Sequence, residues 1–161
     1  MESLPPLLMF LQEDTDSHSN LFETRTLLES GIARLAALRR TEEDLEAIGR
    51  YAREIRETSD LEKVIQADIH FHDSVLKAAK NPALTSFITL VQELMKHGIR
   101  KTRKILFTEQ GENEISANYH IKIYHAIRDQ DPDAAYHAMY EHLEYTANKS
   151  IAIQNRQKNG L

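Results

Sequence analysis

The sequence predicts an all-α fold, an antiparallel bundle of about six to seven helices. Only five glycines and four prolines interrupt 161 residues, and no stretch alternates apolar with polar residues as a half-buried strand would. The chain is also 41% hydrophobic, which is enough for one domain of this length to bury a core. These observations together indicate a single packed helical domain.

Three helices are predicted in the first half of the chain. Leu21, Leu28, Ile32 and Leu35 are spaced as one helical face, which predicts a helix over about 21–40. Thr41, followed by three acidic residues, is a signal for a helix N-terminus, so a second helix begins there. A third helical pattern covers about 60–80. Each pattern has one apolar face, as expected for helices that pack in a bundle.

Three more helices are predicted in the second half. An Asn-Pro pair opens the segment 81–107, where it provides an N-cap followed by proline in the first turn. The sequence TEQGENE then predicts a loop, and a fifth helix covers about 116–128. An Asp-Pro pair opens a sixth helix over about 131–154.

These elements divide the chain into three segments. Residues 1–19 are expected to form an entry or linker segment, and 20–155 the folded domain. The last residues, 156–161, are expected to fray because their sequence is polar and terminal.

The composition limits the chemistry and the partners. The absence of cysteine excludes disulfides and thiolate metal sites. A formal net charge of −5 argues against DNA binding by this domain itself, since binding to phosphates needs a surplus of basic residues. No apolar run approaches the roughly 20 residues of a membrane span, and no basic segment precedes the short apolar run near the N-terminus. We therefore expect a cytoplasmic chain without a membrane partner.

Four polar residues interrupt the apolar faces of three predicted helices. Asp68 and His72 lie one turn apart on the third helix. His120 and His142 occupy inward positions of the fifth and sixth helices. Taken singly, such a histidine is more often a core residue bonded to a backbone carbonyl or a tyrosine. Four interruptions on three helices weaken that explanation, because burying these groups is costly unless something pairs them.

One divalent metal ion would pair all four side chains, which we therefore expect to line an internal metal and ligand cavity. A mixed set of nitrogen and oxygen ligands suits zinc first, with nickel, manganese or iron as alternatives. The other histidines on predicted helices serve as controls. Helical rotation takes His70, His125 and His137 away from the predicted site, and His97 is expected at the surface.

Two arginines are candidates for binding an anionic ligand. Arg25 falls on the apolar face of the first helix, where a guanidinium can grip a carboxylate through two parallel hydrogen bonds. Its alternative is to reach the rim of the domain or to pair with Glu29. Arg103, at the edge of the apolar face of the fourth helix, is the second candidate.

Several segments, in order and spacing, resemble a known family over about residues 20 to 150. They are LFETRTLLESGIARLAALRRTEEDL, ADIHFHDSVLKAAKNPAL, HIKIYHAI and DQDPDAAYHAMYEHLEYT. The family is the C-terminal effector-binding (FCD) domain of the FadR branch of GntR-type bacterial transcription regulators, with a pattern most similar to regulators of lactate utilisation.

The resemblance implies an all-helical domain that forms homodimers and is not an enzyme. Many members hold a divalent metal through an aspartate and three histidines, which match Asp68, His72, His120 and His142. The carboxylate of a small effector, such as a 2-hydroxy or 2-keto acid, takes the open coordination positions. The family's winged helix-turn-helix domain has no counterpart here, so this chain resembles the sensor domain alone, and DNA is a partner only through that missing domain.

Two alternatives remain open from the residues. A metal ion with an open position can also activate water, which would make the chain a hydrolytic metalloenzyme, although no general base and no HExxH motif are present. The chain could instead be a dimerisation bundle whose histidines are satisfied without metal.

Overall fold

A computed structural model describes residues 17–160 of the chain and is all-α over that range, which confirms the predicted fold class. The described part contains no strand. Connections of two or three residues join consecutive helices, as in an antiparallel bundle. The six described helices are α1 (Ser17–Arg39), α2 (Glu42–Glu57), α3 (Leu61–Ala78), α4 (Pro82–Thr108), α5 (Glu112–Arg128) and α6 (Pro132–Lys158).

Side-chain caps begin four of the helices at the predicted positions. Thr41 accepts a hydrogen bond from the backbone N–H of Asp44, whose own carboxylate accepts one from the backbone N–H of Thr41. The side chains of Asp60, Asn81 and Asp131 likewise accept a backbone N–H three residues later. The cap pattern therefore located the starts of α2, α4 and α6, and the apolar pattern that of α3.

Three helix ends differ from the sequence prediction. Helix α1 is already present at Ser17, whereas residues 1–16 of the predicted entry segment lie outside the described residues. Helix α5 begins at Glu112 rather than near 116, directly after Gly111, which takes up a left-handed conformation (φ 80°). Helix α6 continues beyond 154 to Lys158, so residues 156–158 of the predicted frayed tail are helical.

The core lies where all six helices meet. Helix α1 packs along α6, and α2 packs against α3 and α5. A close approach joins α2 to α5 at Gly49, where an added Cβ would lie 2.7 Å from the Tyr124 ring. Among the described helices, none is long and apolar enough to cross a membrane. The largest fully buried side chains include Phe71, Ile123, Ile127, Met139 and Leu143.

Candidate metal and effector site

The structure brings the four predicted metal ligands together in the middle of the bundle. One ligand atom from each residue lies within 4.8 Å of all the others, and all four side chains are buried. Three helices contribute, because α3 carries two of the residues, α5 one and α6 one. We call this group the metal-ligand cluster: Asp68, His72, His120 and His142.

The rings of the cluster pack against one another and against neighbouring aromatic side chains. The ring centroids of His120 and His142 are 4.4 Å apart, and those of His72 and His142 are 5.4 Å apart. Phe71, which is fully buried, places its ring edge-on to His120 at 4.8 Å. Rotation of the imidazoles away from the cluster is therefore restricted by close packing.

Two of the histidines have one ring nitrogen fixed by a partner outside the cluster. Nδ1 of His72 lies 2.5 Å from Oε2 of Glu29, and Nδ1 of His120 donates to the carbonyl oxygen of Ser116 at 2.7 Å. With a proton on each Nδ1, the Nε2 atoms of both rings carry lone pairs that face the cluster. Such outer hydrogen bonds typically orient histidines that bind a metal.

Two further ring nitrogens of the cluster have no hydrogen-bond partner among the described residues. Nε2 of His120 lies 2.9 Å from Oδ1 of Asp68, but the two atoms lack hydrogen-bond alignment, and Nδ1 of His142 is also unpartnered. Each such buried group costs about 1–3 kcal/mol. A divalent cation bound to three imidazole nitrogens and one carboxylate would offset this cost, so the donor set fits a metal ion.

The electrostatics favour the protonation states that metal ligands require. Burial raises the pKa of Asp68, but the Arg103 guanidinium and His120 outweigh this effect and hold the pKa well below its usual range. Burial lowers the pKa of His142 well below its usual value, and that of His120 to a smaller extent. At neutral pH the carboxylate is therefore ionised and these two imidazoles are neutral.

The sequence analysis missed the role of Glu29, which it considered only as a partner for Arg25. Glu29 is buried, accepts a hydrogen bond from Nε of Arg25 at 2.8 Å and contacts His72 with its other oxygen. Burial raises the pKa of Glu29, but Arg25 and His72 lower it to about 2. A signal was present, because Glu29 lies two helical turns from both Phe22 and Ala36 on the inward face of α1.

Both candidate arginines are buried next to the cluster, and each is paired with a carboxylate. Arg25 pairs with Glu29, which was its alternative in the sequence analysis. Arg103 places Nη2 2.5 Å from Oδ1 of Asp68 and also donates to the Ser116 hydroxyl. Arg103 therefore holds a predicted metal ligand in place, a role that the sequence analysis did not assign to it.

A cavity of about 640 Å³ connects the cluster with the surface between α3 and α4. Arg25, Asp68, His72 and Arg103 line it, whereas the rings of His120 and His142 lie behind these residues. A cavity of this volume lies within the range usual for small-molecule sites. The arrangement can bind a metal ion that remains accessible to a ligand from one side.

The control histidines lie outside this arrangement. His70, His97, His125 and His137 are all exposed, and none belongs to the cluster. The face analysis of the sequence therefore separated the inward histidines from the outward ones.

Comparison with known proteins identifies relatives over most of the chain. The model of the FCD domain family matches residues 20–145. The Bacillus subtilis transcriptional regulators LutR and YcbG are 35% identical over 144 residues and 29% identical over 148 residues. These matches cover 88% and 92% of this chain but only 64% and 60% of the relatives. The chain therefore spans about three fifths of their length.

A solved structure, that of Streptococcus agalactiae GntR, has the same fold. Its TM-score is 0.70 with 29% sequence identity, and the match covers 91% of this chain and 66% of the GntR chain. The named relatives are transcription regulators and not enzymes, which confirms the family resemblance and the expectation that the chain is not an enzyme.

Proposed function

Since the chain belongs to the FCD domain family, the effector-binding domains of GntR-type transcription regulators, we propose that it senses a small carboxylate at a divalent metal ion. The metal-ligand cluster would hold this ion. The observation that carries the proposal is the convergence of three buried imidazoles and one carboxylate with ring nitrogens that lack partners among the described residues. Zinc is our first candidate, with nickel, manganese or iron as alternatives.

The ion would supply open coordination positions to a 2-hydroxy or 2-keto acid such as lactate, which could chelate it through the carboxylate and the neighbouring oxygen. The protein supplies the remaining recognition. Arg25 lines the cavity beside His72 and contributes positive charge, although its Nε is committed to Glu29. Its terminal nitrogens are the groups that we propose for contact with the effector carboxylate. Arg103 contributes charge from the other side of Asp68.

The parent regulator would convert this binding into a change in DNA affinity. A ligand shifts a conformational equilibrium only by its different affinities for the two states, so the effector must favour one arrangement of the regulator. We propose that DNA is contacted by a segment outside this chain, in the cytoplasm. We also propose a homodimer, since a symmetric pair is the commonest assembly of soluble oligomers.

Thermal unfolding with a panel of acids tests the sensing proposal. The metal-loaded chain is heated with lactate, pyruvate, glycolate, citrate or a six-carbon sugar acid, and the series is repeated after chelation. An effector at 100 times its dissociation constant adds about 2.7 kcal/mol to the free energy of unfolding. A shift with one acid that disappears after chelation is the expected result. If the ion is retained and no carboxylate of any length produces a shift, the proposal is wrong.

The same panel measures the contribution of Arg25. In the Arg25→Met variant the metal should stay bound, while the shift produced by the effector becomes smaller because a cation is lost from the cavity wall. An unchanged shift would remove Arg25 from the effector site and leave the metal proposal standing.

A further inference from the structure

The cavity extends well beyond the metal-ligand cluster. Along α3 its lining runs from Ile65 to Lys77, a distance of about 18 Å at the helical rise per residue. Since a water molecule takes up about 30 Å³ of liquid, a cavity of about 640 Å³ has room for about twenty waters. Lactate, with three carbon and three oxygen atoms, is much smaller than this cavity. An acid of that size at the cluster would leave most of the cavity to solvent.

The two ends of the cavity differ in position and in lining. Because the connection 79–81 joins α3 to α4, Lys77 and Thr85 lie at the connection end. The pair of Asp68 and Arg103 lies toward the opposite end. We call three lining residues on the connection side the distal subsite: Asp73, Thr85 and Thr89.

The distal subsite offers hydrogen-bond acceptors and no free hydroxyl proton. The Thr85 hydroxyl donates to the carbonyl oxygen of Asn81 at 3.1 Å, and the Thr89 hydroxyl donates to that of Thr85 at 2.7 Å. Each hydroxyl has only one proton, so the lone pairs of both oxygens are what a ligand would meet. The half-buried Asp73 carboxylate accepts only, and it has no hydrogen bond or ion pair with any described residue.

A group that binds in the distal subsite must therefore donate hydrogen bonds. Alcohol hydroxyls and ammonium groups both do so. Most basic residues of the lining are already paired with carboxylates: Arg25 with Glu29, Lys96 with Glu93, Arg100 with Glu62 and Arg103 with Asp68. Lys77 has no ion pair with any described residue and lies one helical turn from Asp73, whose charge it balances at the connection end. A neutral donor, such as an alcohol hydroxyl, therefore matches the acceptors without adding an unbalanced charge.

We propose that the effector is a polyhydroxylated monocarboxylic acid of the size of a hexonic acid, which lies along the cavity. Its carboxylate and 2-hydroxyl lie at the metal-ligand cluster, and its remaining hydroxyls donate to Asp73, Thr85 and Thr89. The inference rests on the proposed metal-dependent sensing and specifies its ligand. A three-carbon acid occupies only the cluster end.

Calorimetric titration of the metal-loaded chain separates chain length from hydroxylation. The probes are lactate, 2-hydroxyhexanoate and a set of hexonates that differ in the configuration of their hydroxyls. All share the 2-hydroxy acid group, and 2-hydroxyhexanoate matches the hexonates in length without the hydroxyls of the tail. At least one hexonate should bind about tenfold or more tightly than both other acids, equivalent to about 1.4 kcal/mol.

Substitutions in the distal subsite locate the added affinity. Thr89→Val keeps the side-chain shape, and Asp73→Asn removes the charge and half of the acceptor capacity. Each should weaken hexonate binding about tenfold and leave lactate binding unchanged. Thr24→Val is the matched control, because Thr24 makes the same hydroxyl bond to a carbonyl four residues earlier on an exposed face outside the cavity.

The outcomes distinguish this inference from the function on which it rests. Binding of lactate with no hexonate tighter overturns the extended ligand and leaves metal-dependent sensing intact. A tight hexonate that is insensitive to both substitutions overturns the distal subsite. If none of the acids binds although the metal is retained, the proposed function fails, and this inference fails with it.

Discussion

Two groups of polar side chains in this bundle, one half-buried and one buried, differ in whether the protein provides their hydrogen-bond partners. At the start of α5, Glu112 accepts hydrogen bonds from the Tyr145 hydroxyl and from Nζ of Lys149, the latter at 2.6 Å. In the metal-ligand cluster, by contrast, His120 and His142 each retain a buried ring nitrogen without a partner among the described residues. The first group is satisfied by the protein, whereas the second needs something that the protein does not provide.

The difference indicates how to separate structural polar groups from binding groups in one fold. A satisfied group contributes to stability and gains nothing from a ligand. A group with unpaired atoms in a packed interior costs stability until a ligand pairs it. Substitutions in the two groups should therefore affect different measurements.

The largest effect should come from removing a member of the metal-ligand cluster. His142→Ala takes one of three imidazoles from the proposed ion. We expect metal affinity to fall by more than about 100-fold, because even the loss of a residue that only holds a metal ligand in place costs about 10–100-fold. Competition with a chelator of known affinity measures this. His137→Ala is the control on the same helix, since His137 is exposed and its Nδ1 contacts only the carbonyl oxygen of Asp133. Equal losses in both variants would contradict the assignment.

A smaller effect is expected from the residue that holds His72. Glu29→Gln keeps the shape and one acceptor oxygen but removes the charge that faces Nδ1 of His72, so metal affinity should fall about 10–100-fold. Competition with the same chelator measures it, together with circular dichroism to show that the helices persist. Glu23→Gln, at an exposed position of α1, should leave the affinity unchanged. An affinity equal to that of the original chain would mean that Glu29 is only the counter-ion of Arg25.

Glu29 also shows which features of this domain could be predicted from the sequence and which could not. Helix starts were predictable because a cap is local, as at Thr41 and Asp131. The metal-ligand cluster was predictable because each member interrupts an otherwise apolar helical face. Glu29 interrupts such a face too, but a glutamate four residues after an arginine is also the pattern of a surface pair. Its burial depends on contacts with α3 and α4, through His72 and Gln92.

The start of α5 and the end of α6 lie beyond their predicted bounds because contacts with distant residues stabilise both. Glu112 lies in a segment whose composition is that of a loop, but Tyr145 and Lys149 hold it from α6. Farther along α6, Arg156 pairs with Glu109 at 3.4 Å, in a stretch where no apolar pattern continues the helix. Tertiary contacts between distant residues thus extended helices that local propensity did not define.

The smallest predicted effect tests the satisfied group directly. Tyr145→Phe removes the hydroxyl that donates to Glu112, and the loss of one such hydrogen bond should lower the free energy of unfolding by about 1 kcal/mol. For a domain of this size the melting temperature should fall by about 2–4 °C, measured by calorimetry.

Tyr140→Phe is the matched control for this change. Tyr140 lies on the same helix and stacks on Tyr136, with no hydrogen bond to a described residue. Because Glu112 is not part of the metal-ligand cluster, the metal affinity of Tyr145→Phe should equal that of the original chain, and its loss of stability should be the same with and without metal. A loss of metal affinity in Tyr145→Phe would mean that the two groups are coupled through α6, and that the separation of structural and binding groups does not hold in this bundle.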